Sequence, residues 1–487
     1  MFLRPMRTYA AAGLGTAVLA AGLTLVAPTA HAVTTPDSAA ASWLTAQIGA
    51  DHLVQGSVAR TIDFALALDE IGGSQTVLDQ LKQGVDANVA TYATDGVTDA
   101  QAAVYYQAMG VDARTVDGDL IAKVEALTND STGEMTESFG GAWSQWLAVR
   151  ALTTAGSSEA PKALTYLLGL QSPDGGWPGF SGSDADDTAD ALFGLLPLKG
   201  SSTAVDNAIA SGVAYLESTQ KTDGGFDNFG ENASSTGLSA HALMLAGETG
   251  PAARAARWLR QRQVAGTLCD GKLAADGGAV AYSDTVFAQG ITDGIAADSN
   301  AGYDWYGATI QSLVPLAAAP AATGALGVSA PAWVRAGSTD SATAVGLALG
   351  QRGCLSLAGK NVAVVGGATR TGSFAFPAGS HAYQAVLRVE GSAASRRIVA
   401  LAPKVLTVGR SRAVVAKGGV ERITVAGLHS GEPVSISYNG TVVAKGVATS
   451  TGRFVRSIAV GRRAGTKTVY AVGRFGTRKG HASFTVR

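Results

Sequence analysis

Cysteine is nearly absent: only Cys269 and Cys354 occur in 487 residues. Two cysteines so far apart offer no Cys-x-x-Cys pair, which excludes thiolate metal sites of the zinc-finger kind. In an oxidising compartment such an isolated pair is expected to form one disulfide. Long apolar runs are also missing. Beyond Val26 no stretch reaches the roughly 20 apolar residues that a membrane-spanning helix needs. Acidic residues are almost missing from one region, Lys404 to Arg487, which holds fifteen Lys/Arg against Glu421 and Glu432. The net charge of −1 therefore conceals a basic C-terminal part and an acidic remainder, a split expected of domains with different partners.

What is present begins with Arg4 and Arg7, an apolar run from Ala10 to Val26, and Ala30-His31-Ala32. This small-x-small ending predicts a signal peptide over 1–32 and a secreted product. No cysteine follows it, so a lipoprotein is excluded.

Self-similarity appears next. Trp43-Leu44 with Gln47, Leu167-Leu168 with Gln171, Tyr215-Leu216 with Gln220 and Trp258-Leu259 with Gln263 share one grammar. Each reads as a helix, a glutamine, a polar Gly-rich turn and a second apolar helix. Gln171, Asp174, Gly175, Gly176 and Trp177 match Gln220, Asp223, Gly224, Gly225 and Phe226 in register. The Asp-Gly-Gly turns supply the positive-φ freedom of a sharp return. The clusters Asp184–Thr188 and Asn232–Thr236 then offer helix caps. Weaker copies span Leu78–Met109 and Leu120–Ala155, and a further inner helix is expected from Tyr303 to Leu316. About six hairpins predict a mainly α protein, an (α/α)6 toroid over 37–350. Residues 351–403 read as an extension of the toroid or a linker, with a helix at His381–Arg388. Residues 404–487, short alternating runs between Gly-rich turns, predict a small immunoglobulin-like β-sandwich.

The Gln-x-x-Asp-Gly-Gly-Trp stretch resembles the QW repeat of squalene cyclases. That resemblance implies that Gln171 and Gln220 tie neighbouring helix ends together while the aromatic ring packs between outer helices. Asp184-Ala-Asp186-Asp187-Thr188-Ala189 is similar to the Asp-x-Asp-Asp-Thr-Ala motif of class II terpene cyclases, and this implies Asp186 as a general acid supported by Asp184 and Asp187. By themselves the three carboxylates also suit a helix cap, the positive end of the helix dipole, or a cation. Asn232–Thr236 resembles helix-opening phrases of cobalamin carriers of the intrinsic-factor type, which join a toroid to a small β-domain. The zinc set of protein prenyltransferases has no counterpart around His241, and the Cys-Gly-Glu-Gln of thioester toroids is absent. Asp63, Asp99, Glu137, Asp186 and Asp304 could face one mouth of the ring, yet no spacing singles out a glycosidase pair.

The leading expectation is a toroid that binds a small hydrophobic or amphipathic molecule. Inner-helix starts would line its mouth: Thr61, Asp63, Thr98, Asp99, Phe139, Trp143, Thr188, Ser235, Thr236, Tyr303, Asp304 and Trp305. A class II cyclase-like enzyme is the alternative, and a protein-interaction scaffold the third reading. No cofactor or metal is required by the sequence. The basic domain is expected to hold the protein at the envelope against an anionic wall polymer such as teichoic acid. Nucleic acid is not expected, because aromatic interleaving is sparse.

Overall fold

A computed structural model describes residues 35–136 and 140–487. The expected signal peptide, 1–32, and the candidate residues Glu137 and Phe139 lie outside the described residues. The helices in chain order are α1 Pro36–Thr45, α2 Val58–Glu70, α3 Gln75–Tyr92, α4 Gly96–Ala108, α5 Leu120–Leu127, α6 Ala142–Thr154 and α7 Ala160–Gly169. After them come α8 Ala185–Leu195, α9 Thr203–Thr219, α10 Ala233–Ala246, α11 Thr249–Gln261, α12 Asp284–Asp293 and α13 Ala308–Leu316. Helices α2, α4, α6, α8, α10 and α13 pack each on the next, and α13 packs back on α2. The six form a closed inner ring, with α1, α3, α5, α7, α9 and α11 packed outside it. Sequence separates the two sets. Inner α10 buries Ala233, Ser235, Gly237, Ala240 and Leu243 on several sides, whereas outer α11 buries Ala252, Ala255, Ala256 and Leu259 and turns Arg254 and Arg257 outward.

One joint recurs around the outside. Gln171 Nε2 donates to the carbonyls of Gly175 and Ala208, 2.8 and 3.0 Å away. Gln220 Nε2 does the same to Gly224 and Pro251, at 3.1 and 2.9 Å. Gln263 Nε2 reaches Gly278 at 3.2 Å and Pro36 at 2.7 Å, so the last outer helix is tied to the first. The turn glycine at each joint has positive φ, and at Gly278 a Cβ would sit 2.2 Å from the carbonyl oxygen of Ala39. Behind each turn a buried threonine accepts a backbone N–H: Thr188 from Trp177, Thr236 from Phe226, Thr61 from Val54 and Thr309 from Val280.

The helical part ends at Leu316, and strands follow from Gly327. This corrects the toroid boundary at 350, the linker reading of 351–403 and the helix at His381–Arg388. Strands Trp333–Arg335, Ser392–Leu401, His381–Val389, Arg352–Leu357 and Lys360–Val365 form one sheet in that order, and Gly327–Ser329, Thr339–Val345 and Thr371–Ala375 form another. Their buried residues Leu355, Val364, Phe374, Leu387 and Ile398 make a separate core. Along His381–Val389 the buried positions Ala385, Leu387 and Val389 alternate with less buried ones. That period of two is a strand's, and the Glu390–Gly391 turn pairs it with Ser392–Leu401. Residues 404–487 form a second two-sheet unit around Ile423, Val425, Ile436, Phe454, Val469 and Phe484.

The Cys269–Cys354 disulfide joins the helical part to the first β unit. Beside it Arg260, on α11, pairs with Glu390 at 3.4 Å, and both side chains are nearly buried. The Arg352 guanidinium lies 4.1 Å from the ring centroid of Phe287 on α12. Among the described residues no helix is long and apolar enough to cross a membrane.

Candidate functional site

The N-terminal ends of the inner helices gather the carboxylates. A short hairpin, Trp177–Gly179 with Gly182–Asp184, delivers the chain to α8. Asp184 caps that helix, its Oδ1 accepting from the Asp187 N–H at 2.9 Å. Asp186, Asp190 and Phe193 then follow at i, i+4 and i+7 and so share one face. That face enters the ring. Phe193 meets Trp146 of α6 at 5.7 Å and His241 of α10 at 4.9 Å between ring centroids. His241 Nε2 lies 2.9 Å from Glu70 Oε1 of α2. Because α10 and α2 are not neighbours in the ring, this contact crosses the interior. Arg150 donates to the Phe193 carbonyl at 3.1 Å, completing a floor near the C-terminal ends of these helices. His241 is thus a packed structural histidine, as the sequence suggested.

Above the floor the carboxyls are crowded. Asp186 Oδ2 accepts from Asn228 Nδ2 at 3.0 Å, and the Ser235 side chain also lies against the buried carboxyl. Asp187 Oδ1 accepts from the Trp143 N–H at 3.1 Å. Burial, and then the neighbouring Asp184, push the Asp187 carboxyl up to about 7. Burial also raises Asp184 and Asp186 above the usual carboxylate range. Asp190, only 6 % exposed, is raised well above it by burial and by Asp187, Asp186, Asp184 and Asp63. Asp63 projects from α2, opposite α8, and accepts from Gln101 Nε2 at 2.7 Å. Gln101 Oε1 in turn accepts from the Tyr92 hydroxyl. Water can touch the Asp63 side chain, yet burial pushes its carboxyl up to about 6.

An aromatic rim surrounds these acids. Trp143 starts α6, Phe180 is at the hairpin tip before α8, and Phe229 is in the loop that supplies Asn228; all three are exposed, Phe180 at 93 %. The Tyr303 hydroxyl donates to that of Tyr282 at 3.3 Å. A crowded set of acids whose pKa burial has raised, beside apolar rings, can donate protons or hydrogen bonds to a molecule with little charge of its own.

The expected site residues divide. Asp63, Asp184, Asp186, Asp187 and Trp143 come together, with Tyr303 on the rim and Asp304 half-buried beside Asp298. Asp99 does not join them: it is buried and lies 3.7 Å from Lys123 of the outer helix α5. Trp305 is core, its Nε1 donating to Asp298 at 3.2 Å. Thr61, Thr188 and Thr236 are fully buried in the turn joints, and Ser235 both takes part in the cap made by Asn232 and lies against the Asp186 carboxyl. Thr98 completes a capping box with Asp95. Sequence reasoning missed Asp190, Gln101, Tyr92, Asn228 and Tyr282. Only Asp190 carried a signal, its helical spacing of four from Asp186. Among the described residues no group of three or more His, Cys, Asp or Glu is placed to hold a metal ion.

No family model matches the chain, and no curated protein matches it. Among solved structures it is similar to the type II terpene cyclase MstE from Scytonema, with 14 % identity over 58 % of this chain and 97 % of that one, at a TM-score of 0.43. It is similar to ent-copalyl diphosphate synthase from Streptomyces platensis, with 15 % identity over 53 % and 49 % of the two chains, at 0.35. Fibronectin(III)-like modules of Clostridium thermocellum CbhA align at 12 % identity over 33 % of this chain and 92 % of theirs, at 0.21. Likenesses of this size identify no family.

Proposed function

We propose that the helical ring is a terpene-cyclase-like toroid whose interior carries out proton-initiated isomerisation of an apolar, alkene-bearing molecule, with Asp186 as the acid. The observation that carries this reading is the buried Asp186 carboxyl, which burial raises above the usual carboxylate range in a cluster with Asp184, Asp187 and Asp190. In the step envisaged, the Asp186 O–H bond breaks and its proton goes to one alkene carbon. The π pair forms the new C–H bond and the other carbon becomes cationic. A second alkene closes onto the cation, an adjacent C–H bond then breaks to restore a double bond, and its proton passes to solvent, from which the Asp186 carboxylate regains the one it gave. Atoms balance as an isomerisation without an oxidant. Asp184 and Asp187 act by holding Asp186 in a site where the neutral acid is favoured.

Export through the 1–32 signal and an immunoglobulin-like character of residues 404–487 belong to the same proposal. The Cys269–Cys354 disulfide supports an oxidising location. The carrier reading is favoured by one feature, the exposed rim of Trp143, Phe180, Phe229 and Tyr303, which suits capture of an apolar ligand without chemistry.

The test is incubation of the purified chain with a linear polyprenyl alcohol in D2O. A cyclised product carrying one new C–D bond is expected, with turnover reduced at least ~100-fold in Asp186→Asn. Saturable binding without product in both proteins would sink the enzyme reading and leave the carrier.

A further inference from the structure

Residues 404–487 hide every carboxylate side chain they possess. Glu421 and Glu432 are both fully buried. Glu432 is spent on Arg478, at 2.7 and 2.8 Å, in the one ion pair of this unit among the described residues. Glu421 Oε1 accepts from the Ser411 hydroxyl and the Arg412 N–H, both at 2.9 Å, and so fastens the loop after strand Thr407–Arg410. The outer surface is left with cations and no counter-charge from side chains of the unit.

These cations are concentrated at one end. The 411–413 loop, the 416–419 turn and the 460–464 loop meet there: Ser411 N–H donates to the Arg422 carbonyl at 3.1 Å, and Val460 N–H to Gly419 at 2.8 Å. Arg410 and Arg456 flank Ile423 in one register row across three strands. The end thus presents Arg410, Arg412, Lys417, Arg456, Arg462 and Arg463, all exposed. Five of the six are arginines, whose planar fork fits phosphate oxygens two at a time. No aromatic side chain lies in the three loops, so bases would find nothing to stack on.

We propose that this pole docks a flexible phosphodiester polyanion that carries no bases, independently of the chemistry in the ring. The clustered arginines, with no side-chain carboxylate among them, set its place. The opposite end of the same strands, with Arg453 and Lys479, is cationic but outside the cluster.

The experiment measures binding of the full chain to purified poly(glycerol phosphate) between low and moderate salt, with single-stranded poly(dT) as the base-bearing comparator. The proposal expects affinity that falls log-linearly with salt and a preference for the base-free polymer. Arg412→Gln/Arg462→Gln/Arg463→Gln should weaken binding more than tenfold and lower the salt slope by about 2–3. Arg453→Gln/Lys479→Gln, equally exposed, should stay within about twofold of the parent. Equal loss in both variants would overturn the pole in favour of diffuse charge. Tighter binding to poly(dT) would overturn the choice of partner, and no binding to either polymer would overturn the proposal outright.

Discussion

Carboxyl groups whose pKa is raised by folding make the folded state sensitive to base. For Asp63, Asp187 and Asp190 the folded pKa lies above the unfolded one. Their contribution is therefore fully present below about pH 4 and is lost as pH rises through about 6 for Asp63 and about 7 for Asp187. Asp190 is the most deeply set of the three. Asp190→Asn keeps the shape of the neutral acid and cannot ionise. Thermal melts should show it raising the midpoint at pH 8 by about 3 °C or more, and by less at pH 5. An equal shift at both pH values would mean that Asp190 is already neutralised by a partner. At this scale the sequence was half legible. Asp184, Asp186 and Asp187 stood out because they are adjacent in the chain. Asp63 and Gln101 acquire their meaning only across the ring, where α2 and α8 face each other, and the sequence offered Asp63 and Asp99 as equals. Lys123, on the next outer helix, decides between them by drawing Asp99 outward.

Among the elements, the glutamine joint does the most with the least. Gln263 serves two backbone carbonyls, on the Gly278 turn and on the first residue of α1. In Gln263→Ala both would lose their donor, so urea unfolding should show a loss of about 1–3 kcal/mol. Gln171→Ala should cost a similar amount, since its two acceptors are placed alike. A cost confined to Gln171 would show that the α11-to-α1 joint is not needed for stability. The third copy of the turn, Asp276-Gly277-Gly278, escaped sequence reasoning because twelve residues, 264–275, separate it from its glutamine where the other two copies have two. That insertion carries Cys269. The strands between Leu316 and Lys404 escaped for another reason: Ala-rich strands such as Ser392–Leu401 lack the β-branched density that marks a strand in isolation, and their pairing partners settle the matter.

For the molecule as a whole, the link between ring and first β unit rests on the Cys269–Cys354 disulfide and the buried Arg260–Glu390 pair. The bridge spans 85 residues, and chain-entropy reasoning puts its stabilisation at about 4–5 kcal/mol. Calorimetry of Cys269→Ser/Cys354→Ser should show the first transition moving to lower temperature, with the helical and β parts melting separately. A single unshifted transition would assign the coupling to Arg260 and Glu390 alone. The ring itself raises a different matter. A linear stack of helical hairpins grows until end repeats with polar outer faces stop it, and a bare end invites a second copy to continue the series. Here the series is counted out by curvature: after α11 the next place is already held by α1, through the same kind of bond that Gln171 and Gln220 make at earlier steps. Copy number is thereby fixed without any terminating repeat, and no flank of the stack is left on which a fibre of this chain could begin.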